Sequence, residues 1–312
     1  MSGGPDFTPT AGFEALAAPA KINLFLHVVG QRPDGYHELQ TAFQFIDFFD
    51  YLSFRLRQDG QIHVHMSQDS GIAREDNLIY RAARLLQQRQ SVNLGADIYC
   101  DKHIPAGAGL GGGSSNAATT LIALNRLWGL GLVRAALMPI ALELGADVPV
   151  FVFGQPAFAQ GVGEQLSATA AIPAQVLLFA PELFVSTKAV FSAPDLTRDT
   201  ERVSIYDFTN WLKAYGSQTD CFGRNDLQTV AFKLHPELYR LHRYLNIHGV
   251  NAKLSGSGSS LFALFATACM SSRQPKEICD RMLSELINEV GIDVHMGFYH
   301  SLGAHPLKAW LD

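Results

Sequence analysis

The 312-residue sequence is poor in cysteine and contains no long apolar run, and each shortage excludes a class of protein. Its four cysteines, Cys100, Cys221, Cys269 and Cys279, are scattered and show no CxxC spacing; an HExxH motif is also missing. These patterns do not indicate a zinc site, and reduced thiols in the cytoplasm are the simpler interpretation. No stretch approaches the roughly 18 consecutive apolar residues that a membrane-spanning helix needs.

Charge of either sign is also scarce. Charged residues make up 17% of the chain, the formal net charge is −5, and no segment is dense in lysine or arginine, which argues against nucleic acid as a partner. The first residues contain neither a basic nor an apolar segment, so a signal peptide is not expected and residues 1–15 are interpreted as a loose leader. Together these features predict a cytoplasmic protein with no nucleic-acid or membrane partner.

Hydrophobic periodicity predicts a mixture of strands and helices. Alternating apolar residues predict strands at 20–29, 41–46, 50–56, 62–66, 96–102 and 293–300, and residues 252–265 are interpreted as a glycine-rich turn followed by a strand. Apolar faces at helical spacing predict helices at 76–88, 115–128, 134–144, 225–235, 236–246 and 275–290. No linker is evident, and the domain boundary is placed near 160–170, where Gly161 and Gly163 interrupt the pattern.

The most informative segment is the glycine-rich run PAGAGLGGGSSN at residues 105–116, which joins a predicted strand to an apolar helix. Glycine lets the backbone approach a bulky anion, and the N-terminus of the following helix attracts negative charge. Ser114 and Ser115 would cap that helix or offer hydroxyls to a phosphate or its Mg²⁺. The run matches neither GxxxxGK[ST] nor a GxGxxG fingerprint, so a structural turn is the alternative, but phosphate binding is favoured.

Lys21 lies in the mostly apolar first strand and needs an anionic partner, because burying an unpaired charge is costly. Asp147, between apolar residues in GADVP, is the candidate partner. An Asp–Lys pair suits phosphoryl transfer, in which the carboxylate accepts the hydroxyl proton; a solvated pair is the alternative. Tyr36 and His37 follow a Pro-Asp-Gly turn and are either ordinary surface residues or a site that stacks on a base.

Three segments occur in the order of the three motifs of the GHMP kinase superfamily: PAKINL at 19–24, the glycine-rich run, and KLSGSGS at 253–259. With KINLFL, DGYHEL and GADVP, the sequence resembles a branch whose acceptor is a cytidyl diphosphate polyol, from about residue 18 to 300. The resemblance implies an α+β fold. Its N-terminal ATP-binding domain (1–165) would be like domain 2 of ribosomal protein S5, and its C-terminal domain (166–312) would be ferredoxin-like.

The resemblance implies that the γ-phosphoryl group of ATP, with Mg²⁺, is transferred to the 2-hydroxyl of a methylerythritol unit in the non-mevalonate route to isoprenoids. Asp147 resembles the general base, and Lys21 resembles its partner near the acceptor hydroxyl. Asn23 and Thr187 would contact the polyol end of the substrate. The residues that ligate Mg²⁺ are not indicated.

The same resemblance places the cytosine between Tyr36 and Phe191, with His37 at the edge of the base. Asn77 and Leu78 would line the adenine pocket, and Lys102 would lie beside the nucleotide or, alternatively, be an exposed lysine at a strand end. The nucleotide-binding residues predicted in this way are Asn77, Leu78, Lys102, Pro105, Ala106, Gly107, Ala108, Gly109, Leu110, Gly111, Gly112, Gly113, Ser114, Ser115 and Asn116.

The sequence departs from the family pattern at Ala106 and Ala108, where the family often has methionine and glycine. Ala108 restricts φ, but the glycines on either side of it keep the turn feasible. A homoserine- or mevalonate-type kinase, a catalytically inactive nucleotide-sensing module and a structural RNA-associated domain are the alternatives. A monomer or a weak dimer is expected.

Overall fold

The computed structural model describes residues 15–68, 71–215, 222–266 and 291–312. Its strands are β1 (Leu16–Gln31), β2 (His37–Arg57), β3 (Ile62–Met66), β4 (Gly95–Asp101), β5 (Ala157–Gln160), β6 (Gln165–Ala168), β7 (Ala174–Pro181), β8 (Lys253–Leu254), β9 (Leu261–Ala266) and β10 (Val294–Leu302). Its α-helices are α1 (Leu78–Arg89), α2 (Gly112–Leu127), α3 (Arg134–Leu144), α4 (Val148–Phe153), α5 (Thr187–Phe191), α6 (Ile205–Ala214), α7 (Leu227–Leu234) and α8 (Pro236–Ile247). The predicted α+β class is confirmed.

Strand β2 organises the sheet, because it pairs with four other strands. It runs antiparallel to β1, β4, β5 and β10, and its 21 residues replace the two separate strands that the sequence predicted. The expected break falls at a register shift, where Pro19 pairs with Phe49 and Ala20 pairs with Ile46. A bulge of this kind bends a strand without ending it, so β2 continues through the irregular segment.

Strand β10 connects the two halves of the sheet. It pairs with β2 at Ser301 and Leu302 and with β7 along residues 294–300, so the strand order is β3-β4-β2-β10-β7-β9-β8. The interruption at Gly161 and Gly163 is the turn of the β5–β6 hairpin. The boundary between domains 1–165 and 166–312 stays a prediction.

Apolar side chains form cores in both halves of the fold and between them. In the first half, helices α1 to α4 cover the sheet, with residues such as Phe54, Ile98 and Leu121 fully or almost fully buried. In the second half, Leu241 of α8 and Leu261 of β9 belong to a separate buried cluster. The strands and helices that pack on these cores also carry the polar residues described below.

Most of the predicted elements are confirmed within one to four residues, and helix α3 has the predicted bounds. The helix predicted at 275–290 and the leader up to residue 14 lie outside the described residues, as do three of the cysteines. The fourth, Cys100, is a buried free thiol, and burial raises its pKa to about 12, so it stays protonated at neutral pH. Within the described residues, every helix is too short or too polar to cross a bilayer.

Candidate active site

A cleft of about 800 Å³ is lined by residues from both halves of the fold. It is bordered by the glycine-rich segment, by strand β1 and by helix α5. The sequence-predicted residues that line it are Lys21, Asn23, Tyr36, His37, Leu78, Pro105, Ala106, Gly107, Ala108, Gly109, Gly111, Gly112, Gly113, Ser114, Asp147, Thr187 and Phe191. The structure therefore brings together residues that the sequence separates by up to 170 positions (Lys21 to Phe191).

Five of the predicted nucleotide-binding residues do not line this cleft: Asn77, Lys102, Leu110, Ser115 and Asn116. The side chain of Asn77 instead caps α1, because its Oδ1 accepts a 2.9 Å hydrogen bond from the backbone N–H of Ile79. Leu110 and Ser115 are fully or almost fully buried. Their direct contact with nucleotide stays a prediction.

Lys102 and Asn116 both bind a residue that the sequence analysis missed, the fully buried Asp50 on β2. Asp50 Oδ2 lies 2.8 Å from the ammonium of Lys102 and accepts a 2.9 Å hydrogen bond from the side-chain amide of Asn116. Its other oxygen accepts hydrogen bonds of 2.7 and 2.8 Å from the backbone N–H groups of His103 and Ile104. The carboxylate thus anchors both ends of the glycine-rich segment. The sequence pattern did not predict this role, because a single aspartate within a strand belongs to no recognisable motif.

The glycine-rich segment folds as a series of left-handed glycines. Gly107, Gly109 and Gly111 have φ of 68°, 73° and 69°, and Ala108 between them keeps a negative φ, as the sequence analysis expected. Gly109 is also closely packed, since a Cβ there would lie 2.1 Å from the carbonyl oxygen of Ser255. Only glycine satisfies both requirements at this position.

Helix α2 presents its N-terminus to the cleft. Gly111 is the N-cap in the left-handed region, and no side chain among the described residues caps the helix. The prediction that Ser114 or Ser115 caps it is wrong, because the helix begins at Gly112, ahead of both serines. Since the first N–H groups of a helix have no intrahelical acceptor, this end is suited to bind a phosphate.

The second glycine-serine turn, at 255–259, packs directly against the first. The hydroxyl of Ser255 donates to the carbonyl of Gly109 at 3.0 Å, and the N–H of Ser260 donates to the carbonyl of Ala108 at 3.1 Å. Gly256 and Ser257 then line the cleft, where the hydroxyls of Ser257 and Thr187 are 2.8 Å apart. The third motif of the sequence therefore lies beside the glycine-rich segment and lines the same cleft.

Lys21 and Asp147 form an ion pair at the end of the cleft beside the glycine-rich segment. The ammonium of Lys21 lies 3.2 Å from Asp147 Oδ2, and the lysine side chain is almost fully buried whereas that of Asp147 is 38% exposed. The backbone N–H of Lys21 donates to the carbonyl of Leu110 at 2.9 Å, which fixes the strand to the loop. Asp147 occupies the N-cap position of α4, but its side chain does not cap the helix.

Asn23 orients the lysine through a chain of hydrogen bonds. Its Oδ1 accepts from the ammonium of Lys21 at 2.7 Å, and its Nδ2 donates to Thr41 Oγ1 at 2.9 Å. The hydroxyl of Thr41 in turn donates to the carbonyl of Phe25. The partly exposed carboxylate of Asp147 thus lines the cleft beside a cation held by hydrogen bonds, an arrangement that can accept a proton from an alcohol.

Another part of the cleft, its base end, carries the aromatic side chains of Tyr36, His37 and Phe191. Tyr36 is 65% exposed, and the rings of His37 and Phe191 have centroids 5.1 Å apart. Arg198 donates a 3.1 Å hydrogen bond from Nε to His37 Nε2. Burial, and then the charge of Arg198, lowers the pKa of His37, so the imidazole is neutral at neutral pH.

Several cleft residues were not predicted from the sequence. They include Thr41, Val162, Gly163, Lys188, Ser192 and Arg198. Thr41 lies in a continuous run of buried residues on β2, and Arg198 lies in a loop, so neither position differs in pattern from ordinary strand or surface residues. Their importance comes from contacts with residues far away in the sequence.

Two protein-family models match the chain: "GHMP kinases N terminal domain" at residues 77–155 and "GHMP kinases C terminal" at residues 211–288. A 4-diphosphocytidyl-2-C-methyl-D-erythritol kinase of Bordetella parapertussis is 52% identical, with 94% of this chain and 97% of the relative covered. The kinase of that name from Burkholderia thailandensis is 44% identical, with 94% and 95% covered.

Solved structures agree with these relatives. A crystal structure of 4-(cytidine 5'-diphospho)-2C-methyl-D-erythritol kinase superposes with a TM-score of 0.73 at 33% identity, covering 92% of this chain and 99% of that one. A homoserine kinase from Cytophaga hutchinsonii superposes with a TM-score of 0.65, covering 97% and 98% of the two chains. Its identity is 16%, so that likeness concerns the fold alone.

Proposed function

Because the chain belongs to the GHMP kinases, and within them to the 4-diphosphocytidyl-2-C-methyl-D-erythritol kinases, we propose that the cleft performs this reaction with Asp147 as general base. The enzyme transfers the γ-phosphoryl group of ATP to the 2-hydroxyl of 4-diphosphocytidyl-2-C-methyl-D-erythritol in the non-mevalonate isoprenoid pathway. The observation that carries the residue assignment is the Lys21–Asp147 pair, 3.2 Å apart and in one cleft with the glycine-rich segment.

The glycine-rich segment and the N-terminus of α2 supply N–H groups for the ATP phosphates in this proposal. Backbone donors of this kind are fixed before the substrate arrives, so they stabilise developing charge without reorganisation. Gly112, Gly113 and Ser114 line the cleft at the helix end. Lys102, held against Asp50, lies behind them and adds positive charge near the same place.

Asp147 accepts the proton of the acceptor hydroxyl, and Lys21 orients the carboxylate and the attacking oxygen. The acceptor is a tertiary alcohol, hindered and weakly acidic, so positioning and charge neutralisation contribute most of the rate. Asn23 keeps the ammonium of Lys21 in place through its 2.7 Å hydrogen bond. Thr187, beside Ser257, borders the polyol part of the substrate.

Tyr36 and Phe191 enclose the cytosine, and His37 contacts the edge of the base. The aromatic rings offer the flat apolar faces on which a base stacks. The lining of the cleft runs from these residues to Lys21 and Asp147, so a single substrate spans both ends. A homoserine or mevalonate kinase has no need of an aromatic base site, which favours the cytidyl substrate over those alternatives.

Mg²⁺ enters with the ATP phosphates, since Mg²⁺ in kinases is held by one or two protein oxygens together with phosphates and waters. Among the described cleft residues, the hydroxyl of Ser114, in the first turn of α2, would be an oxygen donor to the ion. The ion supplies charge neutralisation on the phosphates when it is bound. Because ATP is its phosphoryl donor, we place the enzyme in the cytoplasm. We also propose that it is a monomer or a weak dimer.

A coupled assay of ADP release tests the substrate assignment. Purified protein is given Mg²⁺-ATP with 4-diphosphocytidyl-2-C-methyl-D-erythritol, homoserine or mevalonate as acceptor. We expect turnover with the cytidyl compound alone. Turnover restricted to homoserine or mevalonate would remove the cytosine site from the proposal, and no turnover with any acceptor would favour a nucleotide-sensing module.

A further inference from the structure

Arg198 lies in the loop that follows α5 and forms hydrogen bonds with several groups at the base end of the cleft. Its NH1 group donates to the carbonyl of Leu196 at 2.9 Å, and its NH2 group donates to the carbonyls of Ala193 and Phe191 at 2.8 and 3.2 Å. These bonds fix the guanidinium on its own loop. The third nitrogen of the guanidinium, Nε, donates to His37, 161 residues away in the sequence and 3.1 Å away in space.

This contact determines which nitrogen of His37 carries a proton. A guanidinium is a permanent donor with no acceptor, so the nitrogen that it contacts, Nε2, must be unprotonated. A neutral imidazole carries its single proton on the other nitrogen, Nδ1. Nδ1 of His37 makes no hydrogen bond among the described residues and is the nitrogen available to a ligand in the cleft that His37 lines.

The charges near His37 keep its imidazole ring neutral. Arg198 and desolvation both lower the pKa of His37. The adjacent carboxylate of Glu38 lies 3.9 Å from each of Arg32 and Arg202, so its charge is shared with two cations. His37 therefore presents an N–H donor at neutral pH.

We propose that Arg198 is a positioning residue that fixes His37 as the Nδ1–H tautomer and so makes the base site select cytosine over uracil. In cytosine, ring nitrogen N3 is an acceptor that matches an N–H donor. In uracil, N3 carries a hydrogen and meets that donor with a second donor, which leaves both unpaired. The inference rests on the proposed function, because it concerns the base of the cytidyl substrate.

The tautomer is measured first, on the wild-type full chain without substrate. Long-range ¹H–¹⁵N correlation spectra of ¹⁵N-histidine-labelled protein, assigned with His37→Gln, distinguish a protonated Nδ1 from a protonated Nε2. We expect Nδ1 to be protonated and the pKa of His37 to lie below its usual 6.5. A protonated Nε2 in the wild-type protein would overturn the proposal whatever the variants do.

The second step compares Arg198→Met with Arg89→Met, a control at an exposed arginine of α1 that does not line the cleft. In Arg198→Met we expect the pKa of His37 to rise toward 6.5 and Nε2–H to become populated. The KM for the cytidyl substrate should rise about tenfold while kcat at saturation changes little, because one hydrogen bond to the base is lost. The preference for the cytidyl over the uridyl analogue should fall by a similar factor. The control should leave the pKa and tautomer of His37, KM, kcat and the preference unchanged.

Cytidine and uridine 5'-diphosphate binding to the wild-type protein separates this inference from the proposed function. If neither nucleotide binds, the proposed substrate is wrong. If both bind equally while the Nδ1–H tautomer is present, the cytidyl assignment survives and the selectivity role of Arg198 is overturned. Loss of selectivity in Arg198→Met with His37 unchanged in tautomer and pKa would also contradict the mechanism.

Discussion

At the phosphoryl-transfer end of the cleft the walls are mostly backbone, whereas at the base end they are mostly side chains. The first end is built from two glycine-rich turns that hydrogen-bond to each other through Gly109 and Ser255. The second is built from Tyr36, His37 and Phe191, and Arg198 hydrogen-bonds to the ring of His37 and to the carbonyl of Phe191. A phosphate needs many hydrogen-bond donors at fixed positions, and backbone N–H groups supply them. A base needs one flat pocket with hydrogen-bonding groups at its edge, and side chains supply these.

The largest expected effect belongs to the carboxylate at the first end. Asp147→Asn keeps the size of the side chain but removes the proton acceptor, so kcat should fall about 10²- to 10⁴-fold while ATP binding is retained. Steady-state kinetics and ATP titration measure the two quantities. Glu143→Gln, at an exposed carboxylate paired with Arg89, is the control and should behave as wild type. Full activity in Asp147→Asn would remove the residue from the role of base.

The next effect tests the claim that the backbone itself forms the phosphate site. Gly109→Ala places a Cβ 2.1 Å from the Ser255 carbonyl at a φ of +73°. We expect a loss of about 2–5 kcal/mol in the free energy of unfolding, from strain and overpacking, and a large rise in the KM for ATP. Chemical denaturation and ATP kinetics measure these changes.

Gly129→Ala is the matched control for that variant. Gly129 has a φ of +65°, but a Cβ there would meet no atom within 4 Å. The control should lose only about 1 kcal/mol or slightly more, from backbone strain alone, with unchanged ATP kinetics. Equal behaviour of the two variants would mean that the contact between the glycine-rich turns is unimportant.

The smallest effect is expected at the exposed ring of the base end. Tyr36→Ala removes one stacking face, so the KM for the cytidyl substrate should rise about tenfold while the KM for ATP stays nearly constant. Tyr206→Ala, at an exposed tyrosine of α6, is the control. A larger rise in the KM for ATP than for the cytidyl substrate would place Tyr36 at the ATP site and contradict its assignment to the base end.

The contrast between the two ends also explains what the sequence could predict. The spacing of Gly107, Gly109 and Gly111 encodes a backbone conformation locally, so the left-handed turns of the glycine-rich segment could be predicted without any tertiary contact. Lys21 was recognisable because a lysine in an apolar strand must find a carboxylate. By contrast, Asp50 and Arg198 act only through partners that folding brings to them, and their neighbours in sequence give no sign of it.

Pattern analysis was weakest where tertiary pairing overrides local signals. The segment at 47–49 looked like a break between two strands, but pairing with β1 through a bulge carries β2 across it. Ser114 and Ser115 looked like helix caps, but the left-handed Gly111 begins the helix earlier. In both cases a backbone irregularity, set by a distant strand or by glycine, decided the outcome.

A crystal structure of the enzyme with 4-diphosphocytidyl-2-C-methyl-D-erythritol and a non-hydrolysable ATP analogue tests the account most directly. The account predicts the terminal phosphates on the N–H groups of the glycine-rich segment, with the 2-hydroxyl about 3 Å from Asp147. It also predicts the cytosine between Tyr36 and Phe191. Phosphates bound away from residues 107–114, or a reacting hydroxyl out of reach of Asp147, would contradict it.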